Sequence, residues 1–341
     1  MNATENSAVV SFSSDVLREI IQINYIASLA VGIVFNSTLI YLILKRSPTS
    51  LQLYCPILLV AAFTDSYTIF ISGACQMDIR IVSTGSLLVF RGPLKYLPEV
   101  GQWIVYGFLT SCLTLEVLIL LLENYFRYYF MKTRNTLPKS HLILLILVVV
   151  CLSFGQVPII LFNYLYYPED HTEYHERWSP DNLNSVVNAK YSKRGPILKI
   201  LGQYQTSLSL GAFVLAVVIA GLSVWLMRKE VANMTKKTRS LLNQFTKTLV
   251  TRMVLFGISS VFPRVISQLS DVAPFLAMNP LVMNTISVIL FTWFPTINSI
   301  FSLVFIGAYR QTLLRAFRVG AKVLHLRSSA QISTIRIRST S

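Results

Sequence analysis

Seven stretches of this chain are long and apolar enough to be solvated by lipid, and no other feature narrows its fold as far. An α-helix rises about 1.5 Å per residue, so roughly 20 apolar residues cross the ~30 Å hydrocarbon layer. The runs lie near residues 21–44, 53–75, 103–122, 142–162, 206–227, 248–269 and 282–306. Inside lipid each run must satisfy its own backbone polar groups, which requires helix. The expectation is an all-α integral membrane protein, a seven-transmembrane helix bundle. The piece 81–90 is too short to span; Arg80 and Arg91 bracket it, and Gly85 and Gly92-Pro93 mark turns.

Composition supports lipid as the solvent: 53% of residues are apolar and 13% charged, against roughly 25% charged in an ordinary soluble domain. A formal net charge of +15 raises nucleic acid as a partner, but its distribution points elsewhere. The loops after spans one, three and five and the C-terminal segment hold most of the Lys and Arg against two acids, whereas the opposite side holds nine against eleven. Basic excess marks the cytoplasmic side, so the N-terminus is expected outside, the C-terminus inside, and nucleic acid is not expected. Residues 1–20 read as a polar extracellular segment without a removable signal peptide.

Of three Asn-x-Ser/Thr sequons, Asn2 alone falls outside; those at Asn36 and Asn233 fall in a span and an inner loop. Cys55, Cys75, Cys112 and Cys151 all fall in or beside spans, and loop 163–205 has none, so packed thiols are expected rather than a loop disulfide. No metal or other cofactor is expected. His171 and His175 lie four apart in an acidic loop without a zinc-protease pattern.

Ionisable groups in a span are costly and face the bundle interior, so each is a site by default. Asn36, Asp65 and Asn298 mark spans one, two and seven as a polar cluster that either rearranges with the helices or simply joins them. In "LLENYFRYYF", Glu116, Glu123 and Arg127 share one helical stripe, with Tyr128 among the flanking aromatics. Glu123 four residues before Arg127 is the favourable order for an ion pair, poised at the cytoplasmic mouth of span three as a switch or an anchor. Trp103, Tyr106, Tyr204, Arg264 and Gln268 lie on outer halves of spans and could line an apolar pocket with polar anchors; Arg264 could equally reach outward to loop acids. Residues 307–326 pattern as an amphipathic helix on anionic inner-leaflet lipids, and 327–341 as a Ser/Thr/Arg-rich disordered tail.

"LKRSPTSLQLYCPILLVAAFTDSYT", "FRYYFMK" and "FPTINSIFSLVFIGAYRQ" resemble signature stretches of the nematode serpentine chemoreceptors, class d (Srd), a branch of the G-protein-coupled receptors. The similarity runs over about residues 25–315. It implies a plasma-membrane receptor, as in a sensory cilium, that binds an external odorant or metabolite and activates a heterotrimeric G protein through Arg127. Asn36, Asp65 and Asn298 match the family's polar positions. Three departures stand out: Glu123 is not adjacent to Arg127, Leu94 stands where relatives often carry Cys, and no Tyr follows Asn298 at short spacing.

A transporter of a small solute is the competing class, although seven spans do not divide into equal repeats. An enzyme would need a nucleophile–base or metal constellation at one depth in the spans, and none is patterned. Spans six and seven hold no Lys for a retinal Schiff base.

Overall fold

A computed structural model describes residues 3–48, 51–82, 85–166, 186–189, 196–230, 236–263, 280–315 and 318. Asn2, His171, His175, Arg264, Gln268 and the tail 327–341 lie outside the described residues.

Helices α1 (Ala3–Arg46), α2 (Cys55–Cys75) and α3 (Glu99–Thr133) form the first three spans, and α4 (Lys139–Phe154) and α5 (Gln156–Tyr166) together form the fourth. Helices α6 (Pro196–Glu230), α7 (Lys236–Phe256) and α8 (Pro280–Phe305) complete a seven-helix membrane bundle. Among the described residues six helices are long and apolar enough to cross a membrane. The sixth, α7, is less apolar because Lys236, Lys237, Arg239, Lys247 and Arg252 sit within its 21 residues.

Proline punctuates the helices. Pro56 sits in the first turn of α2, where its missing N–H costs no hydrogen bond, and Pro138 immediately precedes α4. Gly155 separates α4 from α5, and Pro158 lies in the first turn of α5. Beyond Phe256 the sixth span widens into a π-helical turn, Gly257–Val261. Pro263 lies two residues past it, and a wider turn relieves the clash of a proline ring with the preceding carbonyls.

At one end of the bundle the short apolar segment becomes sheet. Strands β1 (Met77–Val82) and β2 (Gly85–Phe90) pair antiparallel, Met77 opposite Phe90 and Val82 opposite Gly85. Strand β3 (Val186–Ala189) adds to β2. Ile79, Ile81, Val82 and Val89 supply the β-branched residues that suit strands. The sheet is tied to α2 by Gln76, which caps the helix at φ 45° and donates its N–H to Ser72 O at 2.9 Å. Gly92 N–H then donates to Cys75 O at 3.1 Å. A Cβ on Gly92 would stand 2.0 Å from Ala74 O, so only glycine permits this approach.

α3 is the central element, touching α2, α4, α5, α6 and α7, and Val117, Ile119 and Leu120 are buried on it. In contrast α4 and α6 expose Ile143, Leu144, Val214 and Val218, an apolar surface suited to lipid. The α1–α8 seam is polar: Trp293 Nε1 donates to Asn24 Oδ1 at 2.6 Å and Ser28 Oγ to Thr292 O at 2.6 Å. After a bend at Ile306, residues 307–315 are helical, and buried Tyr309 shares a 2.8 Å hydrogen bond with Ser47. Of the segment 307–326 expected to form an amphipathic helix, residues 307–315 and 318 fall within the described residues. The four cysteines are free thiols.

Candidate functional site: one arginine on three buried carboxylates

Arg252 projects from α7 into the bundle and joins acids from two other helices. Its Nη1 donates to Glu123 Oε2 at 2.9 Å, and its Nη2 donates to Glu116 Oε2 at 3.0 Å and Asp65 Oδ1 at 3.1 Å. All four side chains are buried. Glu116 and Glu123 stand two turns apart on α3, so one guanidinium fork reaches both, while α2 offers Asp65 from the side. The remaining oxygens of Asp65 and Glu116 are also engaged: Thr68 Oγ1 donates to Glu116 Oε1 at 2.8 Å, and Asn298 Nδ2 donates to Asp65 Oδ2. Nearby, Ser299 donates to Asn36 Oδ1, and Asn36 Nδ2 donates to Gly32 O at 3.1 Å.

Sequence reasoning identified the three acids and two asparagines but missed Arg252. Its signal was present, since a lone Arg in "TLVTRMVLF" is a costly charge within a span. Helical spacing left open whether Glu123 pairs with Arg127 or leaves it free for another span; in the structure the Glu123 carboxylate turns to Arg252 on another helix. The physical reason is competition, because Arg252 offers a buried, two-pronged donor shared with two further acids. An i, i+4 pair contributes only ~0.2–0.5 kcal/mol in an isolated helix.

Arg127 is nonetheless buried at 2% exposure, with no carboxylate bonded to it among the described residues. Its Nη2 donates to Thr246 Oγ1 on α7, and its Nε has no partner. Tyr54 stacks on Phe245 with centroids 4.4 Å apart and meets Phe126 and Phe130 edge-on, closing an aromatic layer. The buried Tyr54 hydroxyl has no hydrogen-bond partner. Tyr128 turns elsewhere, its ring under Lys132 Nζ at 5.8 Å. Between the aromatic layer and the charge cluster lies a cavity of about 30 Å³ lined by Tyr54, Asp65, Glu123, Arg127 and Arg252 among others. That is room for a water molecule among polar partners.

At the sheet end, Trp103 is buried with Cys75, Phe90, Leu109 and Ile160, and Tyr106 packs edge-on against it at 6.0 Å. Tyr204 is not gathered with them; it is exposed and donates to Leu152 O at 3.4 Å. Trp103 precedes Glu116 by 13 positions on α3, a separation of ~20 Å at helical rise. The sheet-end cluster and the charge cluster are therefore two distinct layers on one rigid helix. Among the described residues no group of three or more His, Cys, Asp or Glu is arranged to hold a metal ion.

Comparison with known proteins agrees with this architecture. Over 125 residues the chain is 30% identical to serpentine receptor class delta-28 of Caenorhabditis elegans, covering 36% of this chain and 37% of that protein. It is 29% identical over 124 residues to class delta-26 of the same organism, again covering 37% of the relative. The aligned stretches thus span little more than a third of these curated relatives. The family model of the serpentine-type 7TM GPCR chemoreceptor Srd matches residues 21–315, nearly the whole bundle. With its seven spans and a polar core drawn from four of them, the chain belongs to the Srd family of serpentine seven-transmembrane chemoreceptors.

Proposed function

We propose that the chain is a plasma-membrane chemosensory receptor that binds an external small molecule at its sheet end and activates a heterotrimeric G protein at its Arg127 end, without catalysing a reaction. Charge asymmetry supports an external N-terminus and a cytoplasmic C-terminus. The observation that carries the reading is the Arg252 cluster. It fastens α7 to α2 and α3 by three charge-assisted hydrogen bonds halfway along the bundle, between the Trp103–Tyr106 layer at the sheet end and the buried Arg127, to which no carboxylate is bonded among the described residues.

A fastening of this kind is bistable. Closed, it holds α7 against Glu123 and keeps Arg127 bonded to Thr246 on the same helix. Opening α7 breaks both contacts together and uncovers Arg127 to a partner. A ligand shifts this balance only by its differential affinity for the two arrangements, and a hundredfold preference is worth about 2.7 kcal/mol. The Trp103–Tyr106 layer shares α3 with Glu116 and Glu123, so a small rotation of α3 changes both layers.

The test is expression in cultured cells with a second-messenger readout against volatile and small-metabolite panels. A responding ligand whose signal disappears in Arg127→Ala at equal surface expression is expected. An unchanged response in that variant would refute the coupling role, and ligand-driven solute flux without G-protein activation would identify a transporter.

A further inference from the structure

Among the described residues, charge does not balance within the bundle core. Asp65, Glu116 and Glu123 face Arg252 directly, and Asp65 and Glu123 also face Arg127 across the cavity, so among the described residues three carboxylates meet two guanidinium groups and one negative charge is left over. The other neighbours do not cancel it. Asn36, Thr68, Asn298 and Ser299 are neutral, Cys112 is a buried thiol beside Glu116, and Lys247 on α7 is exposed. No acid or base lies within Gln203–Met227 of α6 or within α8. Leaving such a charge uncompensated at this depth would be strongly destabilising.

We infer that Asp65 and Glu116 form a proton-binding site, with one proton held between their two carboxyl groups while Arg252 is docked on both. Both acids accept from the same Nη2 of Arg252, at 3.1 and 3.0 Å, which draws them together from different helices. Two ionised carboxylates brought so close repel each other, and a shared proton turns repulsion into a hydrogen bond. The bound proton is thereby part of what lets Arg252 fasten three helices at once.

A metal cation fits poorly in its place. Arg252, Thr68 and Asn298 already direct donors at the oxygens of both acids, whereas a cation needs lone pairs free on several oxygens at once. A guanidinium within hydrogen-bonding distance would also repel it. The proton has a route as well. The cavity touches Asp65 and ends under Tyr54, whose buried hydroxyl is unpartnered, and Arg127, whose Nε is unpartnered. These groups can hold a water that relays the proton toward the Arg127 end.

The test is infrared spectroscopy of the full chain in nanodiscs, without ligand or G protein, so that its outcome is independent of the receptor reading. Wild type is expected to show the carbonyl band of one protonated carboxyl per molecule at neutral pH, shifted in D2O. Glu116→Gln and Asp65→Asn should each remove or displace the band. Absence of the band from wild type would overturn the inference without any variant having to fold. So would a band that both variants leave unaltered, or a thermal midpoint raised by sodium over choline at equal ionic strength, which would identify a metal cation as the counter-charge.

Discussion

Replacing Arg252 by Met keeps the bulk of the side chain and deletes its charge. The variant loses three charge-assisted hydrogen bonds, to Glu123 at 2.9 Å, Glu116 at 3.0 Å and Asp65 at 3.1 Å, and strands three buried acids without their direct counter-charge. Removing one partner of a buried pair costs about 3–5 kcal/mol, far more than the net value of the pair itself. The cost should therefore depend on the acids remaining charged. Converting Glu116 and Glu123 to Gln in the Arg252→Met background should recover at least ~2 kcal/mol, although the same double change in wild type destabilises. The assay is a thermal melt with a thiol-reactive dye, since Cys75 and Cys112 are fully buried and become reactive only on unfolding. A cycle in which the changes add within about 0.5 kcal/mol would refute the claim that Arg252 is a counter-charge rather than a packing residue. The same variant should signal without ligand. If the Glu123 contact holds the closed state by ~2 kcal/mol, losing it raises the open population roughly thirtyfold.

Three further outcomes follow from other contacts. Arg127→Ala should abolish ligand-dependent signalling while lowering stability by no more than ~1–2 kcal/mol, because its hydrogen bond within the described residues is to a hydroxyl, Thr246; equal loss of signal and fold in paired melts would count against a role in coupling. Gly92→Ala should destabilise the sheet end by about 2 kcal/mol or more, since the new Cβ meets backbone at Ala74 O, and hydrogen exchange should rise in β1 and β2 before the rest of the bundle. Burial pushes the Tyr309 hydroxyl up from 10.0 to about 12. Its contribution should thus be complete below pH 10.0 and lost as pH rises to about 12. Tyr309→Phe should remove that component of the alkaline melt and cost ~1 kcal/mol at neutral pH through the lost Ser47 bond.

Hydrophobic run length determined the spans, because lipid leaves helix as the only way to satisfy a lone crossing segment. The acids on α2 and α3 and the asparagines on α1 and α8 were equally legible, since polarity in such runs is rare enough to be read residue by residue. The stripe of Glu116, Glu123 and Arg127 followed from helical periodicity alone. The segment 81–90 was legible as something other than a span, but not as half of a hairpin extended by Val186–Ala189, almost a hundred residues away.

Only the tertiary structure decided which partner each charge takes. Sequence spacing describes neighbours along one helix, so it offered Arg127 to Glu123 and nothing to Arg252. Which helix stands opposite a given stripe depends on rotation and depth in the bundle, set by many small contacts such as Gly32 against Ile69 and Thr296. Packing placed Arg252 of α7 at the depth of Asp65, Glu116 and Glu123, and there the strong electrostatics of a water-poor interior outweighed the weak local pair.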